Sequence, residues 1–197
     1  MKDLSEVYVH EIDNLENPVL ARKFDDFISI YKDAFRDRNE REEPEELREH
    51  IESKKSKRDS ANNFRSHLLV ASKDSSLNLN SVIYGGIFAV YYPQSSSGFY
   101  AYIAVDKEYR KKGVARKLVD ECNEILQNDA KTLNKNKKLN AVFAEVRKPS
   151  YPKNSRNTLS GINRWRFHSS VKVKHLPCGS SPRPNPSSPS GGGGGYA

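Results

Sequence analysis

The sequence predicts an α/β fold in which helices flank a mixed central sheet. Strand-like and helix-like patterns alternate over residues 1–176, and the strand-like runs have the lengths that strands favour. Near the middle of the chain, an apolar run passes through a glycine turn directly into an amphipathic helix. The expected order, β-α-α-β-β-β-α-β-α-β, is typical of helices packed on a sheet. We therefore predict one domain over residues 1–176.

The N-terminal part is expected to contain one strand and two helices. Residues 7–12 alternate as a short strand. Asn17 and Pro18 suit the N-cap and first position of a helix, and Pro44 opens a second helical piece with Leu47 and Ile51. The apolar face of the first helix consists of Leu20, Phe24, Phe27, Ile28, Tyr31 and Phe35.

Five further strands and two helices complete the expected domain. The strands are predicted at 67–72, 82–92, 99–105, 139–146 and 171–176. One helix follows the 99–105 strand and extends to about Asn128, and a shorter one includes Leu159, Ile162 and Phe167. Residues 177–197 are different, because 16 of these 21 residues are Pro, Gly or Ser. Such a low-complexity tail cannot bury enough apolar surface to order itself.

Composition narrows the classes of partner. The net charge of +8 favours anionic ligands without identifying them. No apolar run approaches the ~20 residues that span a bilayer, and the N-terminus lacks the core of a signal peptide, so no membrane partner is expected. Cys122 lies on the apolar stripe of a predicted helix and Cys178 in the tail. A disulfide is therefore not expected, which favours a reducing, cytoplasmic location.

The most informative segment is the strand–turn–helix of residues 103–119. Gly113 allows close approach of the backbone to an anion, and Ala115 keeps the first helical turn thin. The unpaired N–H groups and positive end of the helix suit a pyrophosphate. The cations around the turn are Arg110, Lys111, Lys112, Arg116 and Lys117. The alternative is an ordinary strand–helix turn with a solvated basic face.

The stretch Arg110-Lys111-Lys112-Gly113-Val114-Ala115 resembles the cofactor motif Arg/Gln-x-x-Gly-x-Gly/Ala of the Gcn5-related N-acetyltransferase (GNAT) superfamily. The resemblance extends over roughly residues 5–176. It implies a GNAT-like acyl-CoA N-acyltransferase fold, acetyl-CoA as donor and direct transfer of the acetyl group to a primary amine. The residues that it assigns to pyrophosphate binding are Arg110, Lys111, Lys112, Gly113, Val114, Ala115 and Arg116.

The same resemblance assigns the rest of the donor site to the strand before the turn. The backbone of Ile103, Ala104 and Val105 would pair with the pantetheine arm like an added strand. An N–H group near Val105 would polarise the thioester carbonyl.

Two residues are catalytic candidates. Glu145, at the end of the 139–146 strand, could be the general base, because burial there would raise its pKa. The alternative is an ion pair with Arg147 or Lys148. His168 stands where the family has a tyrosine in an Arg-Phe-Tyr stretch and could protonate the leaving thiolate. The alternative, which the residue type favours, is a surface or capping histidine. Tyr151 is a spare candidate for the acid.

The sequence does not identify the acceptor, which could be a small-molecule amine, an amino acid, or a lysine or N-terminal amine of a peptide. The chain could also form a homodimer. A catalytically impaired CoA-binding domain is one alternative, because the C-terminal part departs from the family. Where the family has a closing β-hairpin, this sequence continues into Pro-Ser-Pro and five glycines, so the last strand is missing, supplied by another chain or replaced by non-native sequence. The other is RNA binding, since residues 98–103 are similar to an aromatic RNA-stacking strand. One extra residue there would turn the second aromatic to the opposite face, so nucleic acid is not the favoured partner.

No metal is expected, because His168, His175 and Cys178 match no zinc spacing.

Overall fold

One mixed sheet organises the residues that the computed structural model describes, namely 6–52, 64–133, 138–144 and 173–175. In chain order the elements are β1 Tyr8–Glu11, α1 Pro18–Ala34, α2 Pro44–Glu52, β2 Arg65–Ser72, β3 Ile83–Tyr92, β4 Ser97–Val105, α3 Val114–Leu133, β5 Ala141–Ala144 and β6 Val173–His175. The six described strands lie side by side in sequence order. Strands β1 to β4 pair antiparallel, whereas β4, β5 and β6 run parallel. The predicted fold class is confirmed.

The two faces of the sheet carry separate apolar cores. We call the face covered by α3 the α3 face and the opposite one the α1–α2 face. On β3, Ile87 and Ala89 belong to the core of the α3 face, while Phe88 and Val90 belong to the other. This alternation follows from the period of two in a strand. Because each face of the sheet has its own core, the central strands are buried on both sides.

Helix α1 begins where the sequence predicts. The Asn17 side chain accepts hydrogen bonds from Val19 N at 2.9 Å and from Leu20 N at 3.4 Å, and Pro18 occupies the first turn. These bonds satisfy backbone donors that lack partners inside the helix. The predicted apolar stripe is buried at Phe24, Phe27, Ile28 and Tyr31.

Lys23 lies within the same buried stripe, which the sequence pattern does not indicate. Its side chain is 1% exposed, and its ammonium group donates to Asp26 Oδ2 at 2.8 Å, Leu79 O at 3.1 Å and Ser81 O at 2.6 Å. A buried ammonium group needs such partners to offset its lost hydration. Lys23 therefore ties α1 to the turn before β3.

Helix α3 confirms the predicted stripe and extends it. Ala115, Leu118, Val119, Cys122 and Leu126 are buried, and Ile125 packs against them. The helix runs to Leu133 rather than ending near residue 128, because Ala130 continues the apolar face. Within the described residues, no helix combines the length and apolar character needed to cross a bilayer. The helix expected around residues 159–167 lies outside the described residues.

Replacing Gly85 with alanine is expected to lower the free energy of unfolding by about 2 kcal/mol. A Cβ at this position would overlap the carbonyl oxygen of Ala104 and lie 2.8 Å from Val105 Cα. Both obstacles are backbone atoms of β4, so the strand itself must move. Urea denaturation measures the loss. An unchanged midpoint would contradict this account of how β3 and β4 approach each other.

Candidate active site

The described pairing between β4 and β5 covers only the first half of β4. It is parallel and extends from Ser97 opposite Ala141 to Tyr100 opposite Ala144, the last residue described before residue 173. Among the described residues, no strand is registered against the β5-side edge of residues 101–105. The second half of β4 therefore presents an edge on which an extended ligand could add as a strand.

The backbone of this edge alternates in direction. The N–H of Asp106 donates to Tyr84 O at 2.9 Å, which turns Asp106, and with it Ala104, toward β3. The peptide groups of Ile103 and Val105 then point to the β5 side. Of the three residues predicted to contact a pantetheine arm, Ile103 and Val105 can do so through the backbone. Ala104 directs its own peptide groups into the sheet.

A β-bulge sits in the middle of β4, just after the described pairing with β5. Phe88 pairs with Tyr102 and Ala89 with Tyr100, so Ala101 is an extra residue in β4. The bulge places Tyr100 on the α3 face, where its hydroxyl donates to Asn123 Oδ1 at 2.6 Å. Tyr102 lies on the α1–α2 face. The two rings thus point to opposite faces, an arrangement unlike an RNA-stacking strand.

The chain after β4 is anchored in a tight turn. Asp106 Oδ1 accepts from Glu108 N at 2.8 Å and starts a short 3-10 turn over Lys107–Tyr109. The Tyr109 ring stacks on Tyr84 with 4.1 Å between centroids. Arg110 Nε donates to Val105 O at 2.9 Å. Arg110 therefore closes the turn against the end of β4, a structural role beyond the predicted contact with phosphate.

The turn continues into a concave run of backbone donors. Lys111 has φ +62° and Gly113 φ +84°, and a Cβ on Gly113 would meet nothing within 4 Å. The first bond of α3 runs from Lys117 N to Gly113 O, so the N–H groups of residues 114–116 precede the regular helical bonds. Consecutive donors in such a turn form a site for an anion. Gly113 leaves open the space that a side chain would fill, which fits a pyrophosphate.

The cations around the turn are arranged unequally. Lys111 and Arg116 are exposed beside it, and Lys112 Nζ lies 5.4 Å from the centroid of the Tyr109 ring. Lys117 pairs with Glu121 at 2.6 Å, and this hydrogen bond raises the pKa of the lysine. Lys111 and Arg116 are thus better placed than Lys117 to neutralise a bound phosphate.

The predicted catalytic residues Glu145 and His168 lie outside the described residues, as do Tyr151 and Cys178. In sequence, Glu145 directly follows Ala144, the last residue of β5. Only the backbone of His175, in β6, is described. Within the described parts of the chain, no three His, Cys, Asp or Glu side chains are grouped so as to hold a metal ion.

A carboxylate that the sequence reading missed stands on the α1–α2 face. Glu42 lies between α1 and α2, in a charged stretch whose pattern gives no sign of burial. Its N–H donates to the Tyr102 hydroxyl oxygen at 3.0 Å, and its carbonyl accepts from the Tyr31 hydroxyl at 3.1 Å. Glu42 is held by contacts with Tyr31 and Tyr102, which lie 11 and 60 positions away in the sequence. No local sequence pattern therefore indicates its position.

The mixed-sheet fold, together with the family match reported next, supports an acyltransferase. Residues 64–153 match the family model for the acetyltransferase (GNAT) domain. This segment contains the second half of β4 and the Gly113 turn, and the match confirms the resemblance to the GNAT superfamily noted from the motif. A search of curated proteins finds no match.

Several solved structures are similar to the chain. An aminoglycoside acetyltransferase, meta-AAC0020, from an uncultured soil metagenomic sample is 18% identical with a TM-score of 0.46, covering 73% of this chain and 78% of that one. A GNAT-family acetyltransferase from Staphylococcus aureus Mu50 is 13% identical with a TM-score of 0.47, covering 72% and 74%. Tetrahymena GCN5 is 15% identical with a TM-score of 0.40, covering 64% and 65%. The substrates in these names are those of the named proteins.

Proposed function

We propose that this protein transfers the acetyl group of acetyl-CoA directly to a primary amine, on a small molecule or a peptide. One observation carries the proposal: the second half of β4, which has no partner strand on its β5 side among the described residues, leads straight into the turn at Gly113. The pantetheine arm of CoA is extended and carries a pyrophosphate at one end, so it matches a strand edge followed by an anion-binding turn. The domain responsible is residues 1–176, and residues 177–197 form a separate tail.

The residues of the turn and of β4 have distinct roles in this proposal. The N–H groups of residues 114–116 bind the pyrophosphate, with Lys111 and Arg116 neutralising its charge. The backbone of Ile103 and Val105 orients the pantetheine arm, and the Val105 N–H polarises the thioester carbonyl. Acetyl-CoA supplies the activated thioester. His168 would protonate the leaving thiolate, and Glu145 is the sequence-derived candidate for the base.

The first test is whether acetyl-CoA stabilises the full chain. A ligand that binds only the folded state at one hundred times its dissociation constant adds about 2.7 kcal/mol to the free energy of unfolding. We expect acetyl-CoA to raise the melting temperature and an RNA oligonucleotide at physiological salt to leave it unchanged. The reverse result would favour RNA binding and contradict the proposal.

Thiol release separates an active enzyme from a silent CoA-binding domain. Spermidine, 2-phenylethylamine and a short lysine peptide are suitable acceptors, because they span polycationic, aromatic and peptide amines. Free CoA should appear faster with at least one amine than with none. Acetyl-CoA binding without release from any acceptor would instead indicate the catalytically impaired domain.

A further inference from the structure

The Glu42 carboxylate has an acceptor atom with no partner. Its Oε2 is buried and has no hydrogen bond, and His50 Nε2 lies 3.8 Å away, beyond hydrogen-bonding distance. The side chain as a whole is 40% exposed, so the carboxylate lies at a boundary between solvent and protein. A buried oxygen left without a donor lowers stability. Such an atom in a native protein calls for an explanation, and a donor brought by a substrate is one.

The backbone of Glu42 is fixed although it lies between two helices. Tyr102 accepts its N–H and Tyr31 donates to its carbonyl, so both peptide groups are held. The two rings meet edge to face with 4.9 Å between centroids. Burial, followed by the hydrogen bond with Tyr102, raises the pKa of Tyr31, which keeps that hydroxyl protonated and able to donate. Glu42 therefore has a defined position.

That position is tied to the middle of β4. Tyr102 directly precedes Ile103, whose peptide groups face the open edge, and it directly follows the bulge residue Ala101. Its partner across the sheet is Phe88, whose ring lies 6.0 Å from the ring of His50. Glu42 and His50 thus lie over the Phe88–Tyr102 pair on the α1–α2 face. An acceptor entering from this face would meet Glu42 near the edge proposed to hold the donor.

The chemistry of amine acylation needs a proton acceptor at such a place. A primary alkylamine is protonated at neutral pH and has no lone pair with which to attack. Burial raises the pKa of the Glu42 carboxyl, His50 opposes that rise, and Glu46 adds to it. A carboxylate with a raised pKa is a stronger base, and general bases contribute typically 10²–10⁴-fold to rate.

We propose that Glu42 is the general base that takes a proton from the ammonium group of the acceptor, directly or through one water. This inference rests on the proposed acetyl transfer. The proton moves from nitrogen to the partly exposed Glu42 carboxylate, and the freed lone pair forms the N–C bond as the C–S bond breaks. The nitrogen loses its second proton to solvent and the thiolate gains one, the step proposed above for His168, which gives the amide and the free thiol of CoA. Glu42 then releases its proton to solvent.

The test compares Glu42→Gln with Glu45→Gln in the full chain. Glu45 is an exposed carboxylate in the first turn of α2, so its variant makes the same change of charge nearby. Thiol release is measured from pH 6 to 9 with spermidine, 2-phenylethylamine and a lysine peptide. At pH 7, Glu42→Gln should lower kcat about 10²-fold with the best of these acceptors. The deficit should shrink as pH rises, because solvent then deprotonates the amine, while Glu45→Gln stays within about twofold of wild type.

Two measurements exclude a folding defect. The melting temperature of Glu42→Gln at pH 7 should equal or exceed that of wild type, since the change removes a charge that burial opposes. The rise produced by acetyl-CoA should be unchanged. Glu42→Asp keeps a carboxylate and should retain more activity than Glu42→Gln, which separates loss of the base from loss of structure.

The outcomes distinguish the two proposals. If wild type transfers acetyl groups and Glu42→Gln matches Glu45→Gln at every pH, the role of Glu42 is overturned and the proposed function stands. The same holds if Glu145→Gln shows the pH-dependent deficit and Glu42→Gln does not. If wild type binds acetyl-CoA but acetylates none of the three amines, both proposals fall.

Discussion

Replacing Gly113 with aspartate is expected to abolish the rise in melting temperature that acetyl-CoA produces. The new Cβ would enter space that is open for at least 4 Å and that we assign to the pyrophosphate. Its carboxylate would repel that group in the midst of the backbone donors that attract it. The residue would also adopt φ +84°, a conformation disfavoured for side chains other than glycine. Differential scanning fluorimetry with and without acetyl-CoA measures the effect.

Gly113→Asn is the matched control for this prediction. Asparagine has nearly the size of aspartate, tolerates positive φ better than most residues, and carries no charge. We expect it to retain part of the thermal shift that the aspartate variant loses. Equal losses would assign the effect to bulk alone. A full shift in the aspartate variant would mean that the phosphates bind elsewhere.

The sequence predicted those features that short-range patterns determine. The cap at Asn17, the stripe of α3 and the Gly113 turn each depend on residues within a few positions of one another. Their physical causes are hydrogen-bonding capacity, helical period and backbone freedom, which a single sequence displays. The donor half of the candidate site could be located for that reason.

The remaining features depend on contacts between distant residues. Lys23 has the polarity of a surface residue, and only carbonyl groups 56 and 58 positions away explain its burial. The bulge at Ala101 changes which face Tyr102 occupies, so alternation alone cannot assign that ring. Glu42 becomes notable only when Tyr31 and Tyr102 hold it. The acceptor half of the site therefore could not be derived from local pattern.

Replacing His67 with alanine is expected to lower the free energy of unfolding by about 3 kcal/mol. His67 is buried, with Nδ1 2.7 Å from Glu11 Oε1 and Nε2 2.7 Å from Asp129 Oδ2. When both carboxyl groups are ionised, each ring nitrogen must carry a proton to bond them. In that state the imidazolium links β1, β2 and α3. Its loss would leave two carboxylates facing a cavity without that charge.

Arg65→Ala tests the outer part of the same cluster. Arg65 NH1 donates to Asp129 Oδ1 at 2.9 Å, but the arginine side chain is 47% exposed. Solvent screens such a pair, so its removal should lower the free energy of unfolding by no more than about 1 kcal/mol. Urea denaturation with an unchanged slope would measure both losses on one scale. A His67 variant no less stable than the Arg65 variant would show that the buried ion pairs add little.

The His67→Ala variant separates stability from donor binding. Asp129 lies fifteen residues after Val114 along α3, about 22 Å from the Gly113 turn at 1.5 Å per residue. Cys122 lies between them on the helix, and burial, with Glu11 and Asp129, raises the pKa of its thiol. The thiol therefore stays neutral and adds no charge near the turn. Because no part of the cluster reaches the turn, the folded His67→Ala protein should bind acetyl-CoA with wild-type affinity, whereas Gly113→Asp should lose binding while remaining folded.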